Sequence, residues 1–348
     1  MKQTLPLYLA ITALLLGTAL YSGCGGPGIG LDAVAMPEAD LVGQFDPQAM
    51  RGAPFWNAVA DLAERQSTGV GESTLDQVAF FRQILERTEL TADDLLEVRL
   101  AARMTGERLD VVTGFLLASP LTPQATDAVL ESLAEQYSRP VAIQDLDHPA
   151  GTVLRVETET GEKMPAVFIG FARGNTVLFQ GGEEAVQGAM DRIGSGKASV
   201  PSLEMVRLTA TVGTDAQAWL AYTVSEDNRD TMMRMFGAEN VPAPLQGLLD
   251  SLGTFTSAAA EIHAGEDLDV RLNWYFQGTD NAETFQTSLN GLTELLKGLV
   301  ALASGGRSID AVDSMTLTRS DQSVQLGLTV SQNDLLTLEE LYELNLTE

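Results

Sequence analysis

"LLEVRLAARMTGERLDVVTGFLLAS", residues 95–119, reads as a β-hairpin that turns at Thr105-Gly106. A second stretch of the same kind, "SAAAEIHAGEDLDVRLNWYFQ" (257–277), turns at Gly265. The fold depends on what surrounds these two hairpins, and the surroundings repeat. Before the first lies "ADLVGQFD" (39–46), which alternates apolar and polar residues as a half-buried strand does. Two helices then intervene. "APFWNAVADLAER" (53–65) has Pro54 in its first turn and Phe55, Val59 and Leu62 on one face, and "STLDQVAFFRQILER" (73–87) begins at a Ser/Thr cap. After the hairpin a helix starts at Thr122-Pro123 and runs through Val129 and Leu133 to Tyr137. "RPVAIQDLD" (139–147) and "GTVLRVETE" (151–159) read as further strands. "PAVFIGFARGNTVLFQ" (165–180) is a second hairpin with a two-residue turn at Gly174-Asn175, and the helix "EEAVQGAMDRI" (183–193) closes the unit, with Gly194 as its stop.

The second half has the same order. "QAWLAYTVS" (217–225) is a strand, and "EDNRDTMMRMF" (226–236) and "APLQGLLDSLGTF" (243–255) are helices. The Gly265 hairpin follows, then a long helix (280–303), the hairpin "VDSMTLTRSDQSVQLGLTVS" (312–331) and a final helix (333–344). The expected fold is α+β, with two tandem duplicated units. Each is an antiparallel sheet of two hairpins plus a leading strand, with helices packed on one face. The boundaries are 38–197 for the first unit, 198–216 for a connector in which "LEMVRLTA" forms a short helix, and 217–348 for the second unit.

The chain begins as a secretory signal does. Lys2 gives a positive start, and Leu5 to Leu20 is apolar apart from two threonines and carries no charge. The run is shorter than the ~20 apolar residues of a membrane span. It ends in Leu20-Tyr21-Ser22-Gly23-Cys24, and Cys24 is the single cysteine. This segment resembles the lipobox of bacterial lipoproteins, in which small residues precede an invariant cysteine; Tyr21 stands where the family usually has Leu. The resemblance implies residues 1–23 as a signal peptide cut between Gly23 and Cys24. It also implies a diacylglyceryl group on the Cys24 sulfur and an acyl chain, such as palmitate, on the new amine. Residues 24–37, opening with "GGPGIG" after the cysteine, are the expected flexible tether. The mature chain also resembles uncharacterised exported bacterial proteins with tandem α+β repeats, of the domain-of-unknown-function kind. In these a segment like "MPEADLVGQFDPQAM" follows the tether, and a hairpin like "FIGFARGNTVLFQGG" precedes a short helix. That resemblance implies no activity.

Charge narrows the partners. Loss of residues 1–23 removes Lys2 and leaves 20 Lys and Arg against 48 Asp and Glu, a net charge of −28. A surface of that sign disfavours nucleic acid and anionic headgroups. The membrane is therefore expected to be reached through the lipid on Cys24, and a cationic ligand or an envelope protein partner suits the charge. With no second cysteine there is no internal disulfide. The 45% hydrophobic content supplies the core instead.

Chemistry-bearing motifs are few. His148, in "DLDHPAG", lies beside Asp145 and Asp147 at a turn, and His263, in "EIHAGED", reads as a solvated turn residue. Neither comes with the three or four closely spaced ligands that zinc takes. No G-x-S-x-G is present. "RIGSGKAS" lacks a P-loop's first glycine, Asp191 standing there, and its Ser/Thr, replaced by Ala198. The pairs Asp93-Asp94, Glu183-Glu184 and Glu339-Glu340 read as helix first turns or solvated faces. Trp56, Trp219 and Trp274 read as core, and Met232, Met233 and Met235 as core filling. No catalytic, cofactor or metal residue is assigned, and the site residues are Gly23 and Cys24. The functional expectation is a non-enzymatic, lipid-anchored binding or scaffold protein of the cell envelope, on the outer membrane where a cell has two. The alternatives are a carboxylate-dependent hydrolase of envelope polymers and a ligand-binding module with a pocket between the units.

Overall fold

The computed structural model describes residues 33–36, 38–58, 90–105, 108–136, 141–158, 166–197, 201–225, 229, 247–248, 251, 253–303 and 309–337. The helix expected at 73–87, the one at 226–236 apart from Arg229, and most of the one at 243–255 lie outside them. The described chain divides into two compact units. One takes residues through Gly52, 90–103 and 109–202; the other takes 53–58, 104, 105, 108 and Leu203 onward.

The first unit is α+β and antiparallel. Strands β1 (Leu41–Phe45), β2 (Leu95–Thr105), β3 (Arg108–Leu117), β4 (Val141–His148), β5 (Gly151–Thr158), β6 (Val167–Ala172) and β7 (Val177–Gly181) pair in the order β1-β2-β3-β7-β6-β5-β4. β2 ends at Thr105 and β3 begins at Arg108, on either side of the turn expected at Thr105-Gly106; Gly106 lies outside the described residues. Helix α1 (Pro47–Gly52) follows β1, α2 (Pro123–Gln136) follows β3, and α3 (Glu183–Ser195) follows β7. Thr122 caps α2, its Oγ1 accepting from Ala125 N at 3.1 Å.

Register places Phe115 opposite Leu178, Leu178 opposite Phe171, and Ile169 opposite Leu154. These residues share one face and pack with Val98, Val156 and Leu130 of α2. The other face carries Phe179, Gly170 and Val153, and there Val186 and Met190 of α3 approach so closely that a Cβ on Gly170 would sit 3.0–3.1 Å from them. The expectation of helices on one face is therefore corrected for this unit: α2 and α3 cover opposite faces. The cause is in β6 and β7, in which nearly every residue is buried. Strands apolar on both sides need cover on both. Two smaller expectations also change. Helix α3 ends past Gly194, at Gly196 (φ 66°), where Gly196 N bonds Ile193 O and Lys197 N bonds Arg192 O. The β6–β7 turn is four residues, Arg173–Thr176, with φ of 49°, 68° and 68° at Arg173, Gly174 and Asn175.

In the second unit, helix α4 (Leu203–Thr209) occupies the expected connector. Strands β8 (Ala218–Thr223), β9 (Phe255–Ala264), β10 (Leu268–Phe276), β11 (Thr316–Ser320) and β12 (Ser323–Val330) pair in the order β8-β9-β10-β12-β11. Helix α5 (Thr279–Ala303) joins the two hairpins, and the short α6 (Asp310–Asp313) precedes β11. Trp274 lies opposite both Ala258 and Val324 and meets Phe285 of α5 at 5.3 Å between ring centroids. Phe276 meets the same ring at 4.9 Å. Residues 332–337 are helical, the described part of the final helix. Once the β4–β5 hairpin is set aside, the two units connect and pair their strands in the same order.

Candidate functional site

Gly23 and Cys24 lie outside the described residues. The first residues that are described already belong to the folded body. Ala33, Val34, Met36 and Ala39 are all buried, although 33–36 falls within the span expected for the tether. They are held by α3, where Arg192 Nε donates to the Ala33 carbonyl at 2.7 Å. The guanidinium lies over Gly188, one helical turn earlier, where a Cβ would come 3.2 Å from Nη1. Burial lowers the pKa of Arg192, and the charge of Asp191 partly opposes that shift. Arg192 also lines a cavity of about 140 Å³ with Met36, Arg103, Asp110, Glu184 and Ala185. Asp110 is 5% exposed, and its Oδ2 lies 3.6 Å from Arg103 Nη2. Arg103 Nε and Arg192 Nη2 are buried with no hydrogen-bond partner among the described residues. Two guanidinium groups face two carboxylates in a space for a few water molecules. This arrangement can pin the incoming chain and hold solvent, and no hydroxyl, thiol or imidazole lines it among the described residues.

The second unit has its own polar cluster. Glu261 and His263 point to the same side of β9. Glu261 is 5% exposed; its Oε2 accepts from Gly213 N at 2.7 Å, and Arg271, its cross-strand partner on β10, places Nη1 3.7 Å from Oε1. His263 is not the solvated turn residue expected from sequence. Its side chain is 14% exposed, with Nδ1 3.5 Å from Asp215 Oδ2 and Nε2 3.5 Å from Glu261 Oε2. Among the described residues Nε2 has no hydrogen-bond partner, so none of them places a hydroxyl or thiol for the imidazole to activate. The cluster ties the turn after α4 to the sheet.

His148 is likewise held. Its side chain is 13% exposed, Nδ1 accepts from Ala150 N at 3.2 Å, and Nε2 lies 3.3 Å from Asp191 Oδ1 on α3. Among the described residues no three His, Cys, Asp or Glu side chains are arranged to hold a metal ion. Of the acidic pairs, Asp93 bonds Arg51, and Asp94 accepts from Thr91 N at 2.7 Å and Thr91 Oγ1 at 2.6 Å. Burial acts to raise the pKa of Asp94, but hydrogen bonds from Ser119 and Thr91 outweigh it and lower the value. Glu183 and Glu184 occupy the first turn of α3, while Glu339 and Glu340 lie outside the described residues. Trp274 packs in the core, Trp219 and Trp56 are half-buried, and the three methionines at 232–235 are outside.

Arg192, Asp110 and Glu261 are structural polar groups that no motif in the sequence marks. Asp334 is a fourth, and it alone carried a local signal, Ser331 three residues before it at the start of a helix. It is 1% exposed and accepts from Ser331 N and Oγ, each at 2.7 Å, and from Ala311 N at 3.0 Å.

No protein-family model matches this chain, and no curated protein matches it. Among solved structures, crystal form III of TP0453 aligns over 87% of this chain and 94% of that one, at 13% identity and a TM-score of 0.44. Crystal form I gives 90% and 98%, 11% identity and 0.42; crystal form IV gives 88% and 94%, 12% and 0.41. At these values the likeness carries no functional reading.

Proposed function

We propose that this chain is an exported, lipid-anchored protein of the cell envelope that binds or spaces a partner and catalyses nothing. What supports the reading is the place of Cys24. It ends an apolar leader, has no cysteine to pair with, and stands nine residues before a segment that α3 grips through Arg192. Nine residues reach about 30 Å when extended and average about 15 Å when flexible. The lipid would therefore hold the first unit close to the membrane surface, with the load passing into α3 rather than into a loose end. One acyl chain alone anchors weakly, whereas a diacylglyceryl group with a third chain anchors stably. The test is metabolic labelling with an alkyne-tagged palmitate. Wild type should take up label and the Cys24→Ala chain none, with both giving the same circular dichroism spectrum. Unlabelled wild type would rule out the lipid anchor.

A further inference from the structure

We propose that β4, the outer strand of the first unit, is a docking edge for an extended basic segment of another polypeptide, which adds as a further strand and sets its lysine or arginine side chains against Asp127, Glu131 and Asp145. This deepens the binding half of the function proposed above and is independent of the lipid, so its failure leaves the Cys24 test standing.

Among the described residues the edge is open, and it is regular. All eight residues of β4 pair with β5 on the inner side, from Val141 opposite Thr158 to His148 opposite Gly151, without a bulge. On the outer side no described strand follows. Ala142, Gln144, Asp145 and Asp147 are exposed. Protected edges are usually short, bulged, broken by proline or guarded by charge; β4 is eight residues long, unbulged and free of proline, and its guard is the acidic pair Asp145 and Asp147, which repels an acidic strand and admits a basic one.

Charge then selects the partner. Asp145 lies opposite Leu154, on the face covered by α2, where Asp127 and Glu131 stand one turn apart. Burial pushes the Asp127 carboxyl up, and repulsion from Asp145 and Glu131 adds to that shift. Asp127 Oδ1 is buried with no hydrogen-bond partner among the described residues. A cation delivered there would relieve the crowding. Pairing of β4 with a second copy would instead bring Asp145 and Asp147 of two chains together, in a protein of net charge −27. The hairpin is also the element by which the first unit departs from the strand order of the second. Without β4 and β5 the five remaining strands already match β8-β9-β10-β12-β11.

The test uses the mature chain in non-ionic detergent and two labelled peptides of equal charge, Lys-Val-Lys-Thr-Lys-Val-Lys-Thr and Lys-Pro-Pro-Lys-Lys-Pro-Pro-Lys. The second lacks N–H groups on both edges of the strand, so no register lets it complete a ladder. At ~0.15 M salt, the first should bind at least about tenfold more tightly than the second and slow amide exchange across 141–148. Asp145→Lys should weaken it by about tenfold, whereas Glu204→Lys, the same charge change on exposed α4, should not. Equal affinity for the two peptides, no binding, protection elsewhere, or equal loss from Glu204→Lys would overturn the proposal. A peptide-free dimer protected at 141–148 would also overturn it, because the occupant would then be a second copy.

Discussion

Replacing Gly181 with alanine should destabilise the first unit more than the same added methyl at Gly174 or Gly52. Gly181 ends β7, between β3 and β6, opposite Val112 on one side and Phe168 on the other. A Cβ there would overlap the Val111 carbonyl oxygen and lie 3.0 Å from the Val111 carbonyl carbon and from Val112 Cα. The obstacle is main chain in a central strand, so no side chain can swing aside. Moving it strains the hydrogen bond from Gly182 N to Val111 O, 3.1 Å long, worth about 1 kcal/mol. Overpacking adds about 2 kcal/mol. The sum of about 3 kcal/mol corresponds to a fall in Tm of about 6–10 °C for a unit of this size. The two other glycines calibrate the result. Gly174→Ala meets nothing within 4 Å but sits at φ 68°, for a cost of about 1 kcal/mol. Gly52→Ala, also in open space and at the end of α1, should lie within about 0.5 kcal/mol of wild type. Thermal melts by circular dichroism should rank the losses 181, 174, 52. A Gly181→Ala chain that melts with wild type, or a larger loss at Gly174, would refute the close approach of β3 and β7.

Burial acts to raise the pKa of Asp334, but hydrogen bonds from Ser331, Ala311 and Asp310 outweigh it and lower the value. Its charged form therefore stabilises the fold above about pH 4, and that contribution is lost as pH falls through the lowered folded value. Asp334→Asn should cost about 2 kcal/mol at pH 7 and progressively less in denaturant titrations taken below pH 4. Asp127 has the opposite sign: its raised value makes the charged form a liability at neutral pH that disappears on acidification. Asp127→Asn should stabilise by about 0.5 kcal/mol at pH 7 and by nothing near pH 3. Phe285→Ala, which removes the α5 ring from Trp274 and Phe276, should cost about 3–4 kcal/mol in the same titration.

Local pattern carried most of the strand layout. The turn at Gly265 and the Thr122 cap are set by neighbours in sequence, and each is where its residues place it. The two-sided cover of β6 and β7 was also written there, since "VFIGFA" and "VLFQG" are almost continuously apolar, but a repeated order of elements speaks of hairpins rather than of faces. The burial of Ala33–Met36 had no local sign. It depends on Arg192, 159 residues away, and short apolar runs beside glycines look alike whether docked or free. His263 misled for the same reason: Asp215 reaches it from the turn after α4, a contact made only by the fold. Asp127 beside Asp145 is likewise an encounter of a helix with an outer strand, and no spacing in the chain announces it.

Whether the mature chain begins at a lipid-bearing Cys24 is tested most directly by intact-mass and fragment spectra of its N-terminal peptide, taken from protein extracted with membranes. The expected peptide starts at Cys24 and carries a diacylglyceryl thioether and an amide-linked acyl chain, with Met1–Gly23 absent. An unmodified N-terminus at any other residue, or a wild-type chain that keeps Met1–Gly23, would contradict the lipid anchor.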